Sequence, residues 1–271
     1  DLTKPEAGFI TSLAFAAFLA ALPLAASIGQ RAGQRTPVLL GALSATAGFF
    51  LIGVADTVVM LAGGGAFAGA SAGLCWTPFN DAAERLLPSA ARAGALSAVS
   101  TGATLGVALA AVLFLATIQV QASWRWPWSV FTAMAVAALI LAGRNLPTGA
   151  ARALEAAAPV SLSSFLRPGL APLYAAALCF GAVNGAYLAY AAMRVAAAGG
   201  FPGLADEAAA AVIYLIYGVC GLIGLATGWI EARIGLSALL ALIFSAFAAS
   251  LILLALVPGA WPAVALSAGL H

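Results

Sequence analysis

The chain has 271 residues, of which 64% are hydrophobic and 7% charged, with a mean hydropathy of +1.08. A soluble domain carries about 25% charged residues, so this composition excludes an ordinary soluble globular protein, and its high hydrophobicity excludes intrinsic disorder. The net charge of +2 provides no basic field for nucleic acid, and no nucleic-acid partner is expected. The expected class is an all-α polytopic membrane protein with the lipid bilayer as its first partner. The length accommodates about nine spans.

Apolar stretches alternate with short polar breaks along the whole chain. Segment one is expected at 8–28, segment two at 38–55, segment three at 57–78, segment four at 94–117 and segment five at 127–143. A longer break, RNLPTGAARALEAAAPVSLSSFLRPG, holds three Arg and three Pro and reads as a linker. Segment six follows at 169–194, segment seven at 209–230 and segment eight at 236–257, and a ninth begins near residue 260. Helices are preferred to a barrel because the runs are continuous rather than alternating. Ala and Leu dominate them, and both favour helix. Cys75, Cys179 and Cys220 lie singly in apolar runs, and the one histidine is His271. No disulfide framework, metal site or cofactor is therefore expected.

Lys and Arg divide unevenly between alternate breaks. One side holds Arg31, Arg35, Arg85, Arg92, Arg144, Arg152, Arg167 and Arg233; the other holds Lys4, Arg125 and Arg194. Positive loops stay cytoplasmic, which puts the linker and the 29–37 loop inside. The predicted location is the bacterial inner (plasma) membrane, multi-pass. Trp124, Trp126 and Trp128 cluster in an outer break, as an interfacial aromatic belt does. Asp56, Asp206 and Glu207 read as outer-break residues, so no carboxylate is expected deep inside a span.

The chain also repeats itself. At an offset of 202 residues, Ser27-Ile-Gly-Gln-Arg31-Ala-Gly33 falls on Trp229-Ile-Glu-Ala-Arg233-Ile-Gly235. Segment one then lies over seven and segment two over eight, as a parallel repeat. In this register segment six needs a counterpart before residue 1. The expectation is a fragment lacking the first helix and the last two to three of twelve.

With this rhythm, repeat and linker, the sequence resembles the major facilitator superfamily of secondary transporters. The family's loop after its second helix reads Gly-x-x-x-Asp-Arg-x-Gly-Arg-Arg. Here Arg31, Gly33 and Arg35 fit, with Ala26, Gln30 and Gln34 at the departing positions; in the second half Gly228, Arg233 and Gly235 fit, with Ala232 at the acid position. The resemblance implies a two-bundle architecture built on a parallel six-helix repeat. It divides the chain into an N-terminal bundle at 1–143 (helices 2–6 of the family pattern), a cytoplasmic linker at 144–168, and a C-terminal bundle at 169–271. It implies alternating access with a small-molecule substrate, and a coupling proton or ion as a further candidate partner. The stretches near Gly65 and at STGATLGVAL lack the Arg and the Gly-Pro of proton-coupled and antiporter members.

Candidate residues follow from spacing. Asn184, Tyr187 and Arg194 form a polar stripe on one helical face of segment six, with Tyr190 beside it. Lipid penalises such a stripe, so it should face a water-filled cavity or another helix. Tyr214 and Tyr217 share a face of segment seven. The resemblance makes segments six and seven both line the central cavity. In segment four, Ser97, Ser100, Thr101 and Thr104 either bond back to their own helix or form a hydrogen-bonding wall. Ser100 and Thr104 complete the candidate cavity, whose expected solute is small, partly aromatic or amphipathic, with Arg194 placed to attract an anionic group. Arg31, Gly33, Arg35, Arg233 and Gly235 form candidate cytoplasmic gating loops, with Asp81 and Glu84 as partners for Arg31. Gly65, Gly69 and Gly73 form a small-residue ridge for helix packing; Gly102/Gly106, Gly181/Gly185 and Gly224/Gly228 are shorter versions. The function read from all this is secondary active transport of a small organic solute. The alternatives are an intramembrane enzyme, against which stands the lack of HExxH, paired intramembrane acids or a Ser/His dyad, and a non-transporting scaffold or receptor.

Overall fold

A computed structural model describes residues 2–146, 168–200 and 205–271. The helices are α1 (Lys4–Ala32), α2 (Arg35–Gly53), α3 (Val58–Leu86), α4 (Ser89–Gln119), α5 (Trp126–Asn145), α6 (Ala171–Ala197), α7 (Asp206–Cys220), α8 (Thr227–Ile234), α9 (Leu236–Leu256) and α10 (Trp261–Leu270). A 3₁₀ segment, Gly221–Ala226, joins α7 to α8. Among the described residues, eight helical runs are long and apolar enough to cross a membrane, with Ala208–Ile234 counted as one. Their positions match segments one to eight to within a few residues. The ninth corresponds to the ten residues of α10. Large apolar side chains such as Val59, Leu178, Ile223 and Leu256 point outward, as they do where lipid rather than water is the solvent.

The chain forms two compact units. One comprises Asp1–Arg92 and Ala122–Ala157, the other Ala93–Gln121 and Ala158–His271. Most of α4 therefore belongs with the helices that follow it in sequence from residue 158. Nearly all of the expected linker, at 147–167, lies outside the described residues.

In the first unit, α3 is the central helix and presents two glycine faces. A Cβ on Gly69 or Gly73 would strike the carbonyl oxygen of Ala14 or Phe18 on α1, and one on Gly65 would meet Ile10 Cγ2 at 3.4 Å. The predicted ridge is thus the α1 contact, and Ala21, Ala25 and Leu74 bury beside it. A second face meets α2: a Cβ on Gly48 would lie 2.7 Å from Ala68 N, and one on Gly64 would lie 2.9 Å from Gly48 O. Close backbone approach is what small residues allow in a membrane, where dispersion takes over from the hydrophobic effect. Among the described residues, nothing lies within 4 Å of a Cβ placed on Gly102, Gly106, Gly181, Gly185 or Gly228. Those expected pairs therefore build no comparable ridge; spacing alone does not supply a partner helix.

At the other end of this unit, Arg125 Nη2 donates to Asp56 Oδ1 at 2.6 Å and to the Ala55 carbonyl at 2.8 Å. Trp124 and Trp126 are exposed, as expected of an aromatic belt. Trp128 instead packs tilted against Phe49 and edge-on against Phe131, at centroid distances of 6.1 and 5.8 Å. The core of the second unit gathers Tyr187, Ala191, Val195, Ala209, Ile213, Leu254, Val264 and Ala268.

Candidate functional site

Gly218, Gly221 and Gly224 recur every three residues. A 3₁₀ helix has three residues per turn, so once the chain passes from α7 into the 3₁₀ segment these glycines stay on one side. That side meets α4. A Cβ on Gly218 would lie 2.7 Å from Thr104 O, one on Gly221 2.6 Å from Thr104 Cβ, and one on Gly224 3.3 Å from Thr101 Oγ1. The glycine seam thus brings the end of α7 and the 3₁₀ segment against the hydroxyl face of α4.

Beside this seam is a cavity of about 400 Å³. Its polar lining comes from Ser97, Ser100, Thr101 and Thr104 on α4 and from Thr227 and Glu231 on α8; Leu96 and the faces of Gly221, Gly224 and Gly228 complete it. Thr104 Oγ1 donates to Thr101 O at 2.9 Å, Thr101 Oγ1 donates to Ser97 O at 2.8 Å, and Ser97 Oγ donates to the Gly224 carbonyl. Two of the segment-four hydroxyls thus bond back to their own helix, and the same residues line the cavity. Among the described residues, no hydrogen bond or ion pair engages the Glu231 carboxylate. Glu231 lies within the apolar run Ala208–Ile234, one turn from its end and one residue beyond the bound expected for segment seven. The sequence pattern hides it because it stands one turn before the helix end, next to Arg233, where an acid reads as part of a loop.

The segment-six stripe is divided. Tyr187 is 1% exposed within the second unit's core, stacked on His271 at 3.9 Å with Tyr217 at 6.5 Å, and its hydroxyl accepts from Ser267 Oγ at 3.4 Å. Tyr214 donates to the Leu188 carbonyl at 2.7 Å, tying α7 to α6. Asn184 has a buried Oδ1 without a hydrogen-bond partner among the described residues. Tyr190 is exposed, and Arg194 donates to the Ala255 carbonyl at 3.1 Å near the end of α9. Of the eight candidate cavity residues, the structure brings Ser100 and Thr104 together in the cavity and gathers Tyr187 and Tyr217 into a buried aromatic stack.

The candidate loop residues occupy helix corners. Gly33 and Gly235 each end a helix at positive φ. Arg35 Nη2 donates to the Gly143 carbonyl near the C-terminus of α5, where carbonyls without helical partners sit. Arg31 is exposed. Asp81 accepts from Gln34 Nε2 at 2.5 Å, so the residue at the departing motif position supplies the bond that Arg31 was expected to make. The Glu84 side chain lies outside the described residues. Arg233 places its guanidinium 3.8 Å over the Trp229 ring.

No curated protein matches the chain. The sequence profile of the Major Facilitator Superfamily matches residues 1–270, and the all-helical fold, the apolar spans and the repeated loop agree with it. The chain therefore belongs to the Major Facilitator Superfamily, as a multi-pass integral membrane protein of the secondary-transporter class.

Proposed function

We propose that this chain carries a small organic solute by alternating access across a bacterial inner membrane, and that the cavity between α4 and the 3₁₀ segment with α8 forms part of the solute path. The carrying observation is the cluster of Ser97, Ser100, Thr101, Thr104, Thr227 and Glu231 around one cavity in a chain that is 7% charged. Its volume suits a small organic molecule, since such sites span about 300–1,000 Å³. A 3₁₀ break within a spanning helix is a common hinge, and across its glycine seam the Ser97 hydroxyl bond to the Gly224 carbonyl is the side-chain link that movement against α4 would release.

In this reading the sequence halves 1–143 and 169–271 are the two bundles, joined by a cytoplasmic linker. The corners at Arg31–Gly33–Arg35 and Arg233–Gly235 mark the cytoplasmic ends of α1 and α8 and regulate opening, with Asp81 bracing the first corner. The Tyr187–Tyr217 stack orders α6 against α7. The Lys/Arg bias supports the orientation, and the parallel repeat supports rocking of one bundle against the other.

Counterflow tests this reading. Proteoliposomes of the purified chain are preloaded with unlabelled candidate solutes of neutral, cationic and anionic classes, and entry of the labelled solute is followed. Saturable, protein-dependent exchange of one class is expected. Exchange no faster than in protein-free liposomes for every class would overturn it.

A further inference from the structure

The hydroxyls of the cavity have a direction. Each Ser or Thr hydroxyl offers one proton and two lone pairs. The protons of Ser97, Thr101 and Thr104 are committed to the carbonyls of Gly224, Ser97 and Thr101. A ligand entering the cavity meets their lone pairs. Glu231 adds a carboxylate, which when ionised only accepts. Ser100 and Thr227 supply the other hydroxyls, and each accepts as readily as it donates.

Among the described residues, the charge is equally one-sided. Arg233 is the nearest cation in sequence, but it lies two residues on, and residues so spaced do not share a helix face. Its guanidinium is held over Trp229, and it is not among the residues that line the cavity. A bound anion would face lone pairs and a carboxylate. A neutral solute would leave the carboxylate uncompensated beside an apolar wall, which is costly. The cavity is also far larger than a bare inorganic cation needs, and Leu96 with the glycine faces gives it an apolar side.

We infer that the cavity takes an organic cation with N–H donors, an ammonium head directed at Glu231 and the α4 lone pairs with an apolar body against the Leu96 and glycine side. The inference rests on the assignment of this cavity as the solute site. It replaces the anionic solute expected from Arg194, whose guanidinium is engaged at the Ala255 carbonyl.

Benzylammonium chloride, benzyl alcohol and sodium benzoate share one body and differ in head charge. Each is titrated calorimetrically into the purified chain in a neutral detergent, with sodium chloride as the inorganic control. Benzylammonium should bind about ten-fold more tightly than benzyl alcohol, benzoate more weakly than either, and sodium chloride should give no saturable heat. Glu231→Gln should bring benzylammonium down to the affinity of the alcohol, while Glu231→Asp should keep the preference for the ammonium. No binding of benzylammonium, benzoate binding as tightly as benzylammonium, saturable sodium binding, or an unchanged preference in Glu231→Gln would each overturn the inference. Ser100→Trp separates the two claims. It fills the cavity and should abolish binding of all the probes; benzylammonium binding that survives it would refute the cavity as the solute site, whereas loss of all binding with no charge preference in the parent chain would refute the cation alone.

Discussion

Gly33 and Gly235, 202 residues apart, close their helices in the same backbone conformation, with φ and ψ of 80° and 163° in the first and 81° and 157° in the second. The N–H of each returns to the carbonyl four residues before it, Gly29 at 3.1 Å and Glu231 at 2.8 Å. Those acceptors are themselves 202 residues apart. This region of backbone space is essentially reserved for glycine. The repeat seen in the loop sequence is therefore also a repeat of helix-corner geometry.

Gly33→Ala and Gly235→Ala are each expected to destabilise the fold by about 1–3 kcal/mol, the cost of holding a Cβ in that region. At Gly235 the cost is purely conformational, because nothing lies within 4 Å of the added atom. Unfolding midpoints of the two variants in detergent check this. A melting temperature for Gly235→Ala equal to that of the parent chain would remove the backbone argument.

The α1–α3 ridge leads to a contrast within a single helix. Gly69→Ala and Gly73→Ala push a methyl into the α1 backbone, and overpacking of this kind costs about 1–3 kcal/mol. Gly63→Ala meets nothing within 4 Å and should be neutral or stabilising by about 0.5–1 kcal/mol, the helix-propensity gain. Thermal melting of the three variants side by side should reproduce this order. Equal melting temperatures would contradict the close contact.

How much of the molecule is legible in the sequence differs by feature. The spans are readable because a soluble fold seldom tolerates uninterrupted apolar runs of membrane-crossing length, even where Pro23 and Pro78 stand inside helices. The Gly65–Gly69–Gly73 ridge is readable because three small residues at helical spacing mark one face. The cavity is only half readable. Ser100 and Thr104 stand out as hydroxyls in a span, whereas the glycine seam at 218, 221 and 224 has the period of a 3₁₀ helix and escapes a search at α-helical spacing. Tyr187 shows the opposite limit. A polar stripe is needed equally by a wet cavity and by a buried interhelical stack, and sequence periodicity is the same for both.

The Gln34–Asp81 bond makes a charge-assisted brace at the first corner. Hydrogen bonds to charged groups contribute about 1.5–3 kcal/mol. A double-mutant cycle with Gln34→Ala and Asp81→Ala, measured by denaturant unfolding, should give a coupling of about 1.5 kcal/mol. A coupling near zero would show that Asp81 is braced by other groups alone.

Orientation can be read from the linker. A cysteine introduced at Ser163, in a background without Cys75, Cys179 and Cys220, should react with a membrane-impermeant maleimide in inside-out vesicles and resist it in intact cells. Ready labelling in intact cells would reverse the topology drawn from the Lys/Arg bias.

The central claim is that the α4 hydroxyl face lines a path that opens to each side in turn. Ser100 lines the cavity and is exposed within it, so Ser100→Cys in the same cysteine-free background is the direct probe. An impermeant thiol reagent should modify this position from both right-side-out and inside-out vesicles, with a bound solute slowing both reactions. Modification from one side only, under every condition, would contradict alternating access through this cavity.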